Sequence, residues 1–117
     1  MNNPPPPAVL RYVELIGEAL ALRLVELHGG RRVFVPRRAA AGQKLAVELS
    51  PEAEAALVEE FGGGNIEVPL CKDWRARIYR ARGMTHAAIA ERLGCGEWAV
   101  RSYLRLPDSV RQMDLPL

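Results

Sequence analysis

The sequence predicts a mainly α fold with short β-strands, in which an N-terminal helical dimerisation domain is linked by strands to a C-terminal helix-turn-helix. Three observations carry this expectation. A helix–Gly–Gly–strand–Pro unit occurs twice in the first 69 residues, small and apolar residues between 85 and 105 fall where two helices meeting at a sharp turn must pack, and charge divides unevenly along the chain.

Taken in order, residues 1–7 read as a stiff, disordered proline-rich leader. Residues 8–64 form the expected dimerisation domain. Its first helix runs through VELIGEALALRLVELHGG from Val13 to Gly30, and its second through VELSPEAEAALVEEFGG from Val47 to Gly63. After each comes a short apolar alternation ended by proline, and Val33-Phe34-Val35-Pro36 lines up with Ile66-Glu67-Val68-Pro69 at a constant offset of 33. Leu20, Leu24 and Leu27, with Val25 alongside, mark one helix face; Ala53, Leu57, Val58 and Phe61 mark the other. Ser50-Pro51 is a helix start, with serine as N-cap and proline in the first turn. Residues 37–44 read as an exposed basic loop, residues 65–70 as a strand and linker, and residues 107–117 as a fraying tail. Two short strands make a poor sheet alone, so they must pair with each other or with their copies in a second chain. The second arrangement would also cover the leucine-rich faces, and an obligate homodimer is therefore expected.

Residues 71–106 form the expected helix-turn-helix lobe. A first helix over Cys71 to Ala81 would turn Trp74, Ile78 and Cys71 inward. Thr85 suits an N-cap, Gly94 a left-handed turn, and Ala90 the closest approach of the second helix; Ile89, Leu93, Val100, Tyr103 and Leu104 supply the apolar positions. Residues 1–69 hold seven Lys/Arg against nine Asp/Glu, whereas residues 70–117 hold nine against five. A basic lobe behind an acidic front half suits a partner that is a polyanion, and the turn motif makes that partner double-stranded DNA.

The candidate contacts follow from this. On the last helix Gly96, Glu97, Trp98, Arg101, Ser102 and Arg105 point outward, and Arg101 is the leading base contact because a guanidinium fork matches guanine O6 and N7. Glu97 suits either cytosine N4 or the capping of its own helix, and Trp98 either packing at the helix start or an apolar contact to a thymine methyl or a sugar. Lys72, Arg75, Arg80 and Arg82 are placed for backbone phosphates, with Thr85 and His86 adding donors at a helix start. The run Gly62-Gly63-Gly64-Asn65 is either a flexible joint or a turn that enters the minor groove, which makes Gly63, Gly64 and Asn65 further candidates.

Other classes find less support. Cys71, Cys95, His28 and His86 lack the close spacing of a zinc site, so neither metal nor cofactor is expected. No apolar run has the roughly 18 residues of a membrane span, the N-terminus does not read as a signal peptide, and a cytoplasmic location with reduced thiols follows. No pairing of nucleophile and base points to an enzyme, and the Gly62 to Gly64 run follows a helix where a nucleotide-binding fold needs a strand.

The order of features resembles the Mor transcription activators of Mu-like phages and their late-gene relatives. The residues that carry the resemblance are Glu14 to Gly17, the Gly29-Gly30 break before Val33 to Pro36, the Phe61-Gly62-Gly63 break before Ile66 to Pro69, and the closing helix-turn-helix. It implies a homodimer with an intertwined N-terminal domain, strands leading to two DNA-binding lobes, binding to an inverted-repeat promoter element, and activation by engaging bacterial RNA polymerase. Trp98 stands where a smaller polar residue is expected, so base preference does not carry over. A helix-turn-helix repressor and a phage protein-interaction or structural module are the rival functions.

Overall fold

The computed structural model describes residues 4–105, which are mainly helical with one two-stranded sheet. They divide into a front unit over Pro5–Cys71 and a lobe that begins at Lys72.

The front unit contains α1 (Pro7–His28), β1 (Arg32–Phe34), α2 (Lys44–Glu48), α3 (Pro51–Phe61) and β2 (Asn65–Glu67). The proline run is not a disordered leader up to residue 7. Pro6 is the N-cap of α1 and Pro7 its first residue, and the Pro6 carbonyl accepts from the N–H groups of Val9 and Leu10 at 3.0 Å. Proline fits there because its φ is already helical and its missing N–H would have had no helical partner. Residues 37–42 are exposed as expected, but Lys44 belongs to α2. Ser50 caps α3 by accepting from the Ala53 N–H at 3.0 Å.

The repeat extends further than its sequence signature. Within α1, Gly17 leaves helical geometry at φ 88° and ψ 162°, so that a first helical arm and a second helix meet at a kink. Its counterpart 33 residues on is Ser50, extended at φ −171° between α2 and α3. Each copy is thus helix, break, helix, Gly-Gly, strand and proline.

The two copies pair about a local two-fold relation. β1 and β2 are antiparallel, with Val33 opposite Ile66, which are each other's counterparts. The flanking bonds come in matched pairs: Gly30 N–H to Val68 O at 2.6 Å with Gly63 N–H to Val35 O at 2.9 Å, and Val68 N–H to Arg31 O at 2.9 Å with Val35 N–H to Gly64 O at 2.8 Å. The helix ends match as well. Gly29 and Gly62 both have φ −54°, and their N–H groups donate to the carbonyls of Val25 and Val58 at 2.8 Å. Gly30 and Gly63 then reverse the chain at φ 79° and 87°, where glycine alone is free of strain.

Side chains link the helices of the two copies on both sides. On one side Arg11, on the first arm of α1, reaches Glu60 of α3 at 2.7 Å, and the Tyr12 ring lies 5.9 Å from that of Phe61. On the other, Glu48 of α2 meets His28 at 2.7 Å, and its carbonyl accepts from Arg23 Nε at 2.9 Å, both on the second helix of α1. The core between them holds Leu24, Val25, Val35 and Leu57, each 0% exposed, with Ile66 and Val68 closing it. Of the predicted faces, Leu24, Val25, Ala53 and Leu57 are buried, whereas Leu20, Leu27, Val58 and Phe61 are half-buried at the rim. Full burial of one such leucine contributes about 1.5–3 kcal/mol. The strands that argued for an obligate homodimer thus pair within one chain, and Leu24 and Leu57 are covered there, while Leu20 and Leu27 stay half-buried.

The lobe consists of α4 (Lys72–Ala81), α5 (His86–Leu93) and α6 (Glu97–Arg105), packed around Trp74, Ala76, Tyr79, Ile89 and Val100, all 0% exposed. Cys71 lies before α4 rather than in it, half-buried and with φ 47°, a left-handed conformation that cannot begin a helix. Residues 106–117, including the expected tail, lie outside the described residues, as do residues 1–3. Among the described residues no helix is long and apolar enough to cross a membrane, and no three His, Cys, Asp or Glu side chains gather as metal ligands.

Candidate nucleic-acid interface

Between α5 and α6 the chain turns in three residues, Gly94, Cys95 and Gly96. Gly94 adopts φ 71° and ψ 39°, and its N–H donates to the carbonyls of Ala90 and Glu91, while the Cys95 N–H donates to Ala90 O at 3.0 Å. This closure stops α5 and aims α6 across it. Ala90 is 6% exposed, in keeping with a small residue where the helices approach. At the other end of α5 the Thr85 hydroxyl accepts from the Ala88 N–H at 3.1 Å. The Gly96 carbonyl accepts from Ala99 and Val100 and so starts α6.

Helical spacing on α6 buries Ala99 and Val100, with Tyr103 and Leu104 half-buried, and leaves Gly96, Glu97, Trp98, Arg101 and Arg105 exposed. Ser102 differs from expectation. It is half-buried because it lies three residues after Ala99, beside the packed stripe. Trp98 is 73% exposed, and its indole covers Gly96, where an added Cβ would come within 2.9 Å of the ring. Trp98 therefore lies over the helix start on the outside of the lobe, not in its core.

The phosphate candidates divide. Arg80 and Arg82 are exposed, Thr85 is exposed, and Lys72 and His86 are half-buried. Arg80 donates through Nη1 to Met84 O at 2.9 Å, which holds its guanidinium against the α4–α5 connection. Arg75 is not available: at 8% exposed it lies 5.8 Å from the Tyr79 ring centroid and donates through Nε to the Tyr79 hydroxyl at 3.3 Å. A residue one turn away on the same helix captures it. Arg92, at 5.1 Å from the same ring, is an exposed cation that sequence reasoning missed. Between Lys72 and Arg105 the lobe carries eight Lys/Arg against three Asp/Glu.

Gly63, Gly64 and Asn65 belong to the front unit, where they build the intrachain sheet. Gly63 donates to Val35, Gly64 accepts from it, and Asn65 begins β2 opposite Phe34. The run is not a hinge between domains, since the division of the chain falls at Cys71–Lys72. Residues 65–70 are likewise part of the front unit, because a linker could not also be one half of its sheet.

No family model, curated protein or solved structure matches the chain.

Proposed function

We propose that this protein is a sequence-specific binder of double-stranded DNA that regulates transcription, reading the major groove with α6. The observation that supports it best is the Gly94 turn, which presents α6 with Arg101 and Arg105 exposed on a lobe of net positive charge. Arginine at an exposed position of such a helix suits guanine, and Arg80 and Arg82 suit the flanking phosphates. Trp98 offers an apolar face to a thymine methyl or a deoxyribose. Activation through bacterial RNA polymerase and binding as a homodimer rest on the resemblance to the Mor activators, and a cytoplasmic setting on the sequence reading.

Selection of duplexes from a random pool by the full chain tests this reading. Enrichment of a short common motif is expected, as an inverted repeat with half-sites one or more helical turns apart if two chains bind together. A pool that stays random at low salt would refute it. With the selected duplex in hand, a promoter reporter with purified polymerase distinguishes activation from repression.

A further inference from the structure

The two copies in the front unit are alike in backbone but not in what fills the space beside their strands. In one half the Tyr12 ring occupies that space, 7% exposed, against Phe61, and its hydroxyl donates to the Glu67 carbonyl at 3.1 Å. Burial pushes the Tyr12 phenol above its ordinary pKa, so the hydroxyl keeps the proton it donates. In the other half the positions of Tyr12, Phe61 and Glu67 are taken by Leu45, His28 and Phe34. Leucine carries no ring to fill the space, and a cavity of about 440 Å³ remains, lined among others by His28, Val33, Phe34 and Leu45.

Three features define what this cavity suits. Its volume is that of a small-molecule site, and Val33, Leu45 and Phe34 give it apolar walls. The bonds at Val35 and Val68 place the sheet's ladder on alternate residues, so the carbonyls of Phe34 and Glu67 both turn away from the partner strand. An acceptor thus stands where the Tyr12 hydroxyl would point in the empty half. The mouth is basic: Arg31, Arg32 and Lys44 line it, with Arg31 donating to the Leu27 carbonyl at 2.7 Å and Arg32 paired with Glu67 at 3.1 Å, whereas the counterparts of Arg31 and Arg32 are Gly64 and Asn65. Lys44 corresponds to Arg11, but the counterpart of the glutamate that holds Arg11, Glu60, is Leu27. The acidic wall residue Glu54 is 1% exposed and accepts from the Ala40 N–H at 3.1 Å, and His28 faces Glu48 at 2.7 Å.

We propose that this cavity binds a small hydroxyaryl carboxylate, with its ring in the place that Tyr12 takes in the other half, its hydroxyl on the Phe34 carbonyl and its carboxylate at Lys44. The site lies in the front unit and does not depend on the reading of the lobe.

Calorimetric titration of the full chain with 4-hydroxyphenylacetate tests this. Saturable binding of one molecule per chain is expected, about tenfold weaker for phenylacetate, which lacks one hydrogen bond, and absent for tyramine, which reverses the charge. Leu45→Tyr installs the other half's own ring and should abolish binding without lowering the melting temperature. Lys44→Glu, at an exposed position, keeps the test open should Leu45→Tyr fail to fold, and should weaken binding by about tenfold or more. No saturable binding of the probe, equal binding of tyramine, or undiminished binding by a folded Leu45→Tyr or Lys44→Glu chain would overturn the proposal.

Discussion

The front unit carries its motif twice and the lobe carries its own once, and the two find their cores differently. In the lobe, three helices of ten, eight and nine residues close on a central Trp74 and Tyr79, and a single left-handed glycine sets the angle that matters. In the front unit no single copy closes on anything. Its strand has three residues, side chains of its helices reach across to the other copy, and only the pair buries Leu24 and Leu57. Duplication supplies in one chain what a short strand and one amphipathic helix would otherwise seek in a second chain. It also frees the copies to diverge, since symmetry is needed at the shared strands but not at the outer flanks.

The two copies are most alike in what surrounds their helix-terminal glycines. A Cβ at Gly29 would come within 2.6 Å of Val25 O and 3.2 Å of Pro69 O; at Gly62, within 2.5 Å of Val58 O and 3.2 Å of Pro36 O. Gly29→Ala and Gly62→Ala should therefore cost the same, about 3 kcal/mol each by urea unfolding, which is at the upper end for single substitutions. A cost at one position and tolerance at the other would show that the two-fold relation does not govern packing.

A smaller effect sharpens the difference between the halves. Tyr12→Phe leaves the ring against Phe61 and removes only the hydroxyl from Glu67 O, for a loss of about 1 kcal/mol. Because burial holds the Tyr12 pKa above its ordinary 10.0, the contribution is complete below that pH and is lost as pH rises through the folded value. The stability difference between the original chain and Tyr12→Phe should therefore be flat at neutral pH and shrink in alkali. A difference that does not change above pH 10 would count against the buried hydroxyl.

Local signals were legible in the sequence. Ser50, Thr85 and Gly94 announce caps and a turn because the groups they satisfy lie within four residues. The offset of 33 showed the duplication but not which strands pair, because that depends on how the whole connection over residues 35–64, with α2 and α3, brings the second strand back. α2 was hidden by the alanine run and Gly42 before it, and the break at Gly17 by apolar spacing that continues on both sides. Arg75 read as a surface cation because a side chain that lies along its own helix onto Tyr79 leaves no mark in the charge pattern. The cavity could have been found by setting the copies side by side: at Tyr12/Leu45 and Phe61/His28 one half has lost its aromatic pair.

The most direct test of the functional account compares Arg101→Ala with Arg80→Ala on the selected duplex and on an unrelated one across a salt series. The account predicts that Arg101→Ala costs about 1–3 kcal/mol on the selected duplex and much less on the unrelated one, while Arg80→Ala weakens both alike and makes the salt dependence shallower. Equal losses from the two substitutions on both duplexes would contradict it.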